Sequence, residues 1–194
     1  MSEQSHTVPY HAIRKLLPTE TSEFRDHLLR LSPEGRRLRF AHAVSDSFLS
    51  DYAARMCDLG SIVFGYFDER GVLRAAAELR KLGDGWSPNA EAAFSVEETY
   101  QERGLGTLLM GRVIRSARNR GVTHLYISCL AENAKMLAIA RKYDAKLSFE
   151  SGEVIGDILP PHANYFSQIA EAVDDRIEFM MAVLEVGARS RAAA

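Results

Sequence analysis

The chain has 194 residues, 46% of them hydrophobic and 26% charged, which is enough apolar material for one compact domain with its own core. Its formal net charge of -2 provides no overall attraction to nucleic acid or to anionic lipid. No apolar run approaches the roughly 20 residues that cross a bilayer, and the first residues lack the apolar core of a signal peptide. The composition therefore predicts a cytoplasmic protein with neither a membrane nor a nucleic-acid partner.

The two cysteines, Cys57 and Cys129, lie among apolar residues. Their spacing matches no metal-ligand or redox motif, so we interpret them as reduced core residues of a protein in a reducing compartment. The sequence predicts no metal site.

The first third of the chain predicts one strand and two helices. The strand covers residues 11–17, and Thr19 or Thr21 caps a helix that runs to about residue 31. Ser45 begins the next helix, and Gly60 is expected to end it.

Residues 61–67 and 72–82 predict two antiparallel strands, because the acidic residues and glycine of 68–71 suit a hairpin turn. A third strand of this group is expected over 90–96. The later predicted elements are a helix over 106–120, a strand over 124–129, a helix over 133–142, strands over 146–149 and 154–158, and a long helix over 164–187.

The long helix carries apolar residues at three- and four-residue spacing: Phe166, Ile169, Val173, Ile177, Met180 and Leu184. We expect this face to be buried, either on its own domain or against a second copy of the chain, which would make a homodimer. The predicted organisation is a flexible N-terminus over 1–9, a domain over 10–160, a helical extension over 161–187 and a flexible tail over 188–194.

The main candidate binding motif lies where the strand over 90–96 leads into the helix over 106–120, and reads Gln101-Glu102-Arg103-Gly104-Leu105-Gly106. Its glycines allow close backbone approach, and the N–H groups of a helix start can point at one anion. Arg103, Gln101 and Thr107 add donors. Leu109 stands where a Rossmann fingerprint needs glycine, and the Lys-Ser/Thr of a Walker loop is absent. The motif therefore predicts a site for a diphosphate.

Residues 101–106 match the Arg/Gln-x-x-Gly-x-Gly/Ala motif of the GNAT acetyltransferases, which binds the pyrophosphate of coenzyme A. Residues 90–96, together with Tyr100, resemble the branch of bacterial protein lysine acetyltransferases. The resemblance implies an α+β, three-layer fold with a mostly antiparallel central sheet flanked by helices, here with an extra C-terminal helix. It also implies transfer of an acetyl group from acetyl-CoA to a primary amine, such as a protein lysine.

The resemblance also implies which residues bind the coenzyme. The pantetheine arm would lie along the strand and bond to its backbone, and Asn133 would reach the coenzyme from the following helix. On local grounds Asn133 is equally well interpreted as a helix cap. The implied coenzyme-binding residues are Phe94, Ser95, Val96, Gln101, Glu102, Arg103, Gly104, Leu105, Gly106, Thr107 and Asn133.

The amine must be neutral to attack a thioester, so a general base is expected. Glu91 is the first candidate, because it matches the acidic position of the Ala-Glu-x-Ala-Phe strand in the protein-acetylating branch. It shares a strand face with Ala93 and Ser95. A solvated edge carboxylate is the alternative interpretation of Glu91. The other candidate bases are Glu78, Glu97 and Glu98.

Two departures from the family pattern lie near the end of the domain. Many members carry a tyrosine as general acid seven residues after the asparagine, where this chain has Ala140, and Tyr143 is expected on another helix face. Asp144-Ala145 replaces the usual Gly-Phe. These departures leave a second hypothesis open, an acyl-CoA sensor or regulatory module without turnover. A third hypothesis is an interaction protein acting through the C-terminal helix.

Overall fold

The computed structural model describes residues 13–56 and 60–192, with side chains of the last helix as far as Leu184. Its described strands form one seven-stranded sheet in the order β1-β2-β3-β4-β5-β7-β6. The strands are β1 (Ile13–Lys15), β2 (Ile62–Phe67), β3 (Leu73–Lys81), β4 (Asn89–Val96), β5 (His124–Leu130), β6 (Lys146–Glu150) and β7 (Glu153–Ile158). All neighbouring pairs are antiparallel except β4 and β5, so the predicted mixed, mostly antiparallel sheet is confirmed. The predicted flexible segment 1–9 lies outside the described residues.

Helices cover both faces of the sheet, which gives the predicted three layers. In the described residues they are α1 (Thr21–Arg30), α2 (Pro33–Phe40), α3 (Asp46–Ala54), α4 (Leu105–Arg118), α5 (Ala134–Lys142) and α6 (Tyr165–Ala192). One core cluster joins α1 and α3 to the sheet through Phe24, Leu28 and Leu49. The other core cluster joins α4 and α5 to the sheet, with Leu109 and Val113 fully buried.

The start of α1 differs from the prediction. Its N-cap is Glu20, and neither Thr19 nor Thr21 caps it. The Glu20 carboxylate is buried between the guanidinium of Arg14, which it contacts at 2.7 and 2.8 Å, and the backbone N–H of Leu17. An ion pair between β1 and the residue before α1 therefore fixes this corner, which cap preferences alone could not reveal.

The sequence predicted no helix between residues 31 and 45, but the structure has α2 there. Ser32 accepts a hydrogen bond from the Gly35 N–H, and Pro33 occupies the first turn, where its missing N–H costs nothing. The arginine-rich sequence has no periodic apolar face, so the hydrophobic pattern gave no signal. The Ser45 cap of α3 is confirmed, but α3 ends at Ala54, well before Gly60.

The hairpin between β2 and β3 is confirmed. The carboxylate of Asp68 accepts hydrogen bonds from the backbone N–H groups of Arg70 and Val72, each at 2.9 Å. Gly71 adopts a φ of 71°, which a side chain would disfavour. The predicted strands at 146–149 and 154–158 are also confirmed as β6 and β7, and β7 lies between β5 and β6.

The long helix is confirmed, but the first of the two predicted alternatives for its apolar face, burial on its own domain, is wrong. Phe166, Val173 and Met180 are 80%, 49% and 63% exposed. The acidic face of α6 packs on the domain. Glu171 contacts the side chains of Lys15 in β1 and of Arg120 just after α4, and Glu178 contacts Arg112 of α4 and the backbone N–H of Lys15. The helix continues to Ala192, through most of the segment predicted as a tail.

Cys129 is a free, buried thiol, and burial raises its pKa. Cys57 lies outside the described residues. Over the ranges that the structure describes, no helix is long and apolar enough to cross a membrane. The cytoplasmic location stays a prediction.

Candidate functional site

The main opening in the sheet lies between β4 and β5. Their parallel ladder joins Asn89 to His124 and ends where Glu91 pairs with Tyr126. Beyond that point β4 continues along β3, and β5 continues along β7. Residues 92–96 therefore have no strand partner on the side of β5. The Val96 carbonyl on that edge accepts from the Gln101 amide, and the other polar backbone groups there can bond an extended ligand.

A cavity of about 310 Å³ occupies this opening and extends beneath α2 and α3. One wall is aromatic, because Phe40, Phe48 and Tyr52 pack with ring centroids 5.2 to 6.1 Å apart. The opposite wall belongs to β4 and β5. The side chains with ionisable or polar groups that line the cavity are Arg39, Tyr52, Arg80, Glu91, Ser128, Cys129 and Asn133.

A second hollow, of about 270 Å³, lies at the N-terminus of α4. The turn that forms it has positive φ at Glu102 (63°) and at Gly104 (79°), the N-cap of α4. No side chain caps this helix. The N–H groups of Leu105, Gly106 and Thr107 have no partner within the helix, and the helix dipole places partial positive charge at this end. This end of α4 is therefore suited to an anion with several oxygens.

The predicted polar side chains of the motif are largely engaged within the protein. The Gln101 amide donates to the Val96 carbonyl at 3.0 Å, and its oxygen accepts from Lys135 at 2.7 Å. The guanidinium of Arg103 donates to the Thr99 carbonyl at 2.8 Å, and Arg103 is not among the residues that line the hollow. The backbone therefore forms the floor of the hollow, whereas Arg103 must turn to reach a ligand there.

Two residues of α5 complete this hollow and were missed by the sequence analysis. The Lys135 ammonium pairs with the Glu102 carboxylate at 2.9 Å and adds a positive charge at the rim. Ile139 packs so closely that a Cβ added at Gly106 would come within 2.6 Å of its Cδ1. Gly106 thus sets the approach of α4 to α5. The sequence signal was the (i, i+4) spacing of Lys135 and Ile139 on one helix face.

The three predicted strand residues divide between the two faces of β4. Phe94 lines the large cavity, and Val96 lines the hollow. The Ser95 side chain lies on the other face, which it shares with Ala93 and Glu91, and its hydroxyl is 2.8 Å from Nε2 of His27 in α1. Ser95 can therefore contact a ligand only through its backbone.

Glu91 lines the large cavity on the same strand face as Ala93, as predicted. Its carboxylate lies 2.9 Å from Nη2 of Arg80, and its side chain is 29% exposed. The carboxylate is thus held in one direction by Arg80 while part of it faces the cavity. It is neither a core residue nor a fully solvated edge residue.

The alternative carboxylates are held differently. Glu78 is buried against Arg39 and accepts from the Tyr52 hydroxyl at 2.7 Å, and burial raises the pKa of Tyr52 to about 12. Glu98 accepts from the Ser32 hydroxyl. None of the three alternative carboxylates, Glu78, Glu97 and Glu98, is among the residues that line the cavity.

Glu97 lies at the end of β4 between three basic side chains. His27 and Arg30 contact one carboxylate oxygen at 3.1 and 2.8 Å, and Arg74 contacts the other at 2.9 Å. Burial alone would raise the pKa of Glu97, but these hydrogen bonds hold it below its ordinary value. Burial also lowers the pKa of His27. This cluster joins α1 to the strand that leads into the hollow.

Asn133 fits both interpretations given above. Its side-chain oxygen accepts from the Met136 N–H at 3.1 Å as the N-cap of α5, and it also lines the large cavity. Ala140 is buried in the core. The Tyr143 hydroxyl donates to the Thr107 carbonyl at 2.8 Å, so it ties α5 to the first turn of α4.

The turn after α5 explains one departure from the family pattern. Asp144 adopts a φ of 55°, in the left-handed region that favours glycine and that aspartate tolerates better than most residues. Ala145 packs against the core. The backbone at this position thus has a conformation that glycine favours, although the residue here is aspartate.

Comparisons with known proteins agree with this architecture. Residues 23–144 match the Acetyltransferase (GNAT) family. The GNAT domain of S. lividans PAT superposes with a TM-score of 0.65 at 20% identity, over 76% of this chain and 89% of that one. The yncA acetyltransferase of Salmonella typhimurium, solved with acetyl-CoA, gives 0.56 at 18% identity over 78% and 95%.

A cAMP-binding acyltransferase from Mycobacterium smegmatis gives a TM-score of 0.57 at 24% identity. The match covers 88% of this chain but only 51% of that one. At these identities the solved structures establish the fold, which agrees with the predicted three-layer architecture. Since the family match extends over well more than half of the sequence, the chain belongs to the GNAT acetyltransferase family, whose members are acyl-CoA-dependent N-acyltransferases.

Proposed function

We propose that this protein transfers an acetyl group from acetyl-CoA to the primary amine of a protein lysine, with Glu91 as general base. One observation carries the proposal. The hollow at the start of α4 and the large cavity adjoin successive parts of one strand segment, residues 92–96, whose edge has no strand partner. A ligand with a pyrophosphate at one end and a thioester at the other matches this arrangement.

The coenzyme is positioned mainly by backbone groups. Its pyrophosphate would accept hydrogen bonds from the amides of residues 102–107, with the dipole of α4 and the Lys135 ammonium adding positive charge. The pantetheine arm would bond to the free edge near Phe94 and Val96. Asn133 lines the same cavity as Phe94, so its side chain can contact the coenzyme.

In the reaction, the acceptor ammonium first loses a proton, and the neutral nitrogen attacks the thioester carbonyl carbon. The attacking nitrogen gives its second proton to water as the carbon–sulfur bond breaks, and the coenzyme leaves as a thiolate. Glu91 accepts a proton from the amine nitrogen, directly or through one water, because it is the carboxylate that lines the cavity. Water protonates the thiolate in this scheme, because Ala140 has no hydroxyl and the Tyr143 hydroxyl is bonded to Thr107.

The cavity walls support a lysine as the acceptor. A lysine side chain has an apolar arm and a cationic head, and the ring wall of Phe40, Phe48 and Tyr52 faces a cavity that also contains a carboxylate. Glu91 can attract the ammonium before accepting its proton. The resemblance to bacterial protein lysine acetyltransferases points to the same class of acceptor.

Replacing Glu91 tests the proposed base. We expect Glu91→Gln to lower kcat by about 10²-fold at neutral pH, because the amide cannot accept the proton. The dissociation constant for acetyl-CoA should stay the same. Steady-state thiol release and calorimetry measure the two quantities. Glu98→Gln, an exposed carboxylate outside the cavity, is the matched control; loss of turnover in the control but not in Glu91→Gln would show that the assignment is wrong.

A separate assay tests the acceptor. Lysine-containing peptides, the same peptides with acetylated lysines, free amino acids and polyamines are each incubated with acetyl-CoA, and acetylation is followed by mass spectrometry. Turnover of the lysine peptides alone supports the proposal. Turnover of small amines alone would contradict the lysine acceptor but leave the role of Glu91 intact.

One observation still supports the sensor hypothesis. Ala140 stands where the family has its general-acid tyrosine, and the Tyr143 hydroxyl donates to the Thr107 carbonyl instead. A sensor would bind acetyl-CoA in calorimetry but release no thiol with any of the amines above. Thiol release that depends on the acceptor would contradict it.

A further inference from the structure

The apolar face of α6 points away from the domain. Its main residues, which we call the α6 stripe, are Phe166, Ile169, Val173, Ile177, Met180 and Leu184, and each is between 43% and 80% exposed. Four further large apolar residues of the helix are also exposed, namely Tyr165, Phe179, Met181 and Val183. A monomer rarely exposes a contiguous apolar patch larger than roughly 600 Å², so this surface indicates a partner.

The α6 stripe cannot turn inward without breaking the contacts of the opposite face. Glu171 contacts Lys15 at 3.4 Å and Arg120 at 2.8 Å. Glu178 pairs with Arg112, whose side chain is only 5% exposed. Rotation of the helix would leave these buried charges against apolar side chains, at a high desolvation cost. Among the residues that the structure describes, none covers the α6 stripe.

We propose that a second copy of this chain covers the α6 stripe, with the two α6 helices antiparallel about a two-fold axis near residue 175. The ten large apolar residues, at about half exposure, present on the order of 800 Å², which is what each partner contributes to an interface of standard size. A two-fold axis makes this surface its own complement, so one stripe satisfies the other.

The acidic side chains described on α6 do not oppose the contact. Glu171 and Glu178 face the protein's own domain, and Asp174 contacts Arg115 there at 3.0 Å.

The spacing of the stripe supports a straight pair of helices. Its steps of three, four, four, three and four residues average 3.6, the period of an undistorted α-helix. In the antiparallel register Phe166 lies opposite the partner's Leu184, and Val173 lies opposite the partner's Ile177. Large side chains thus face large side chains at the two ends and in the middle of the stripe.

The proposed interface leaves the acetyl-transfer site open. Within the described residues, α6 makes its main contacts with β1 and α4. No residue of α6 lines the large cavity or the hollow at the start of α4. Coenzyme binding can therefore serve as an independent check that a stripe variant is folded, and the proposal does not depend on the acceptor or on Glu91.

Sedimentation equilibrium of the full chain tests the interface. We expect a mass of about twice 21.6 kDa at micromolar concentration. The double substitution Val173→Glu with Ile177→Glu should give the mass of one chain, while acetyl-CoA binding and the circular dichroism spectrum stay native. Leu82→Glu, which alters an exposed apolar residue outside α6, should leave the mass doubled. Met180→Lys with Leu184→Lys is a second stripe variant, used if the first does not fold.

Disulfide trapping tests the direction of the helices, in a Cys57→Ser, Cys129→Ala background. Antiparallel helices hold the two copies of residue 166 about 27 Å apart along the axis, since each residue adds about 1.5 Å. We expect a cross-link only when the Phe166→Cys and Leu184→Cys proteins are mixed. A single-chain mass for the unmodified protein, a double mass that survives both stripe variants, or self-cross-linking of Phe166→Cys would each overturn the proposal.

Discussion

Two backbone positions shape the hollow at the start of α4. Glu102 and Gly104 both have positive φ, at 63° and 79°. The open space around Gly104 means that a side chain would meet no neighbouring atom there. Glycine is favoured at this position for its backbone conformation and because the site is left free for a ligand.

We expect Gly104→Asp to raise the dissociation constant for coenzyme A by at least about tenfold. The new side chain strains a left-handed residue and places a negative charge where a pyrophosphate would bind. Calorimetry on the folded variant measures the effect.

Gly121→Asp is the matched control for that substitution. Gly121 also has a positive φ, of 76°, with open space around it, but it follows the other end of α4. It should suffer the same strain without a change in affinity. Equal affinities in the two variants would show that the pyrophosphate does not bind at this hollow.

Contacts between elements fix the strand that leads into the hollow. His27 of α1 lies between Ser95 and Glu97 of β4, with its ring nitrogens 2.8 and 3.1 Å from their oxygens. Arg30 and Arg74 complete the cluster from α1 and β3. The position of α1 is thus coupled to the backbone of β4 where the coenzyme is expected to bind.

This cluster predicts a loss of stability in acid. Burial lowers the pKa of His27 below 6.5, so below pH 6.5 the unfolded chain binds a proton that the folded protein does not. Hydrogen bonds lower the pKa of Glu97 below 4.5, so a second loss follows as pH falls below that value. Urea unfolding between pH 7.5 and 4 measures the free energy of unfolding.

His27→Gln should flatten the pH dependence of that free energy between pH 7 and 5, whatever its effect on stability at neutral pH. His42→Gln is the control, because His42 is exposed. A slope that is the same in His27→Gln as in the unmodified protein would contradict the role given to His27.

The ion pair of Arg112 with Glu178 joins α4 to α6, with side chains 5% and 11% exposed. We expect Arg112→Met to lower the free energy of unfolding by about 3 kcal/mol, because Glu178 keeps a buried charge without that guanidinium. Adding Glu178→Met should recover most of the loss. Chemical denaturation of the two single variants and the double variant measures the coupling.

Arg25→Met breaks an exposed pair with Asp26 and should have a much smaller effect than Arg112→Met. Additive effects of Arg112→Met and Glu178→Met would mean that the two side chains do not stabilise the α6 contact together.

For the whole molecule, the way α6 is attached predicts the result of removing it. A chain that stops after Pro161 uncovers Lys15, Arg112 and Arg120, which contact α6 acids. We expect a lower melting temperature, stronger retention on a cation-exchange column and the mass of a single chain, with coenzyme affinity unchanged. Unaltered melting temperature, retention and mass would show that α6 is dispensable.

Several features of the fold and site followed from the sequence because they depend on neighbouring residues. Alternating apolar residues and the Asp68 turn predicted the hairpin of β2 and β3. Helical periodicity predicted α4 and α6, and the paired glycines at 104 and 106 predicted the anion hollow. In each case the signal lies within one turn or one period of the chain.

Other features were decided by contacts between distant parts of the chain. Ion pairs with residues more than 50 positions away set which face of α6 turns to the domain. Ser95 faces α1 because His27 lies there, and Lys135 reaches the hollow because Gly106 lets α5 approach α4. The sequence thus predicted most of the helices and strands, and a hollow suited to an anion. Only the tertiary structure decided which faces are covered, because that depends on charges and side-chain volumes that no local pattern brings together.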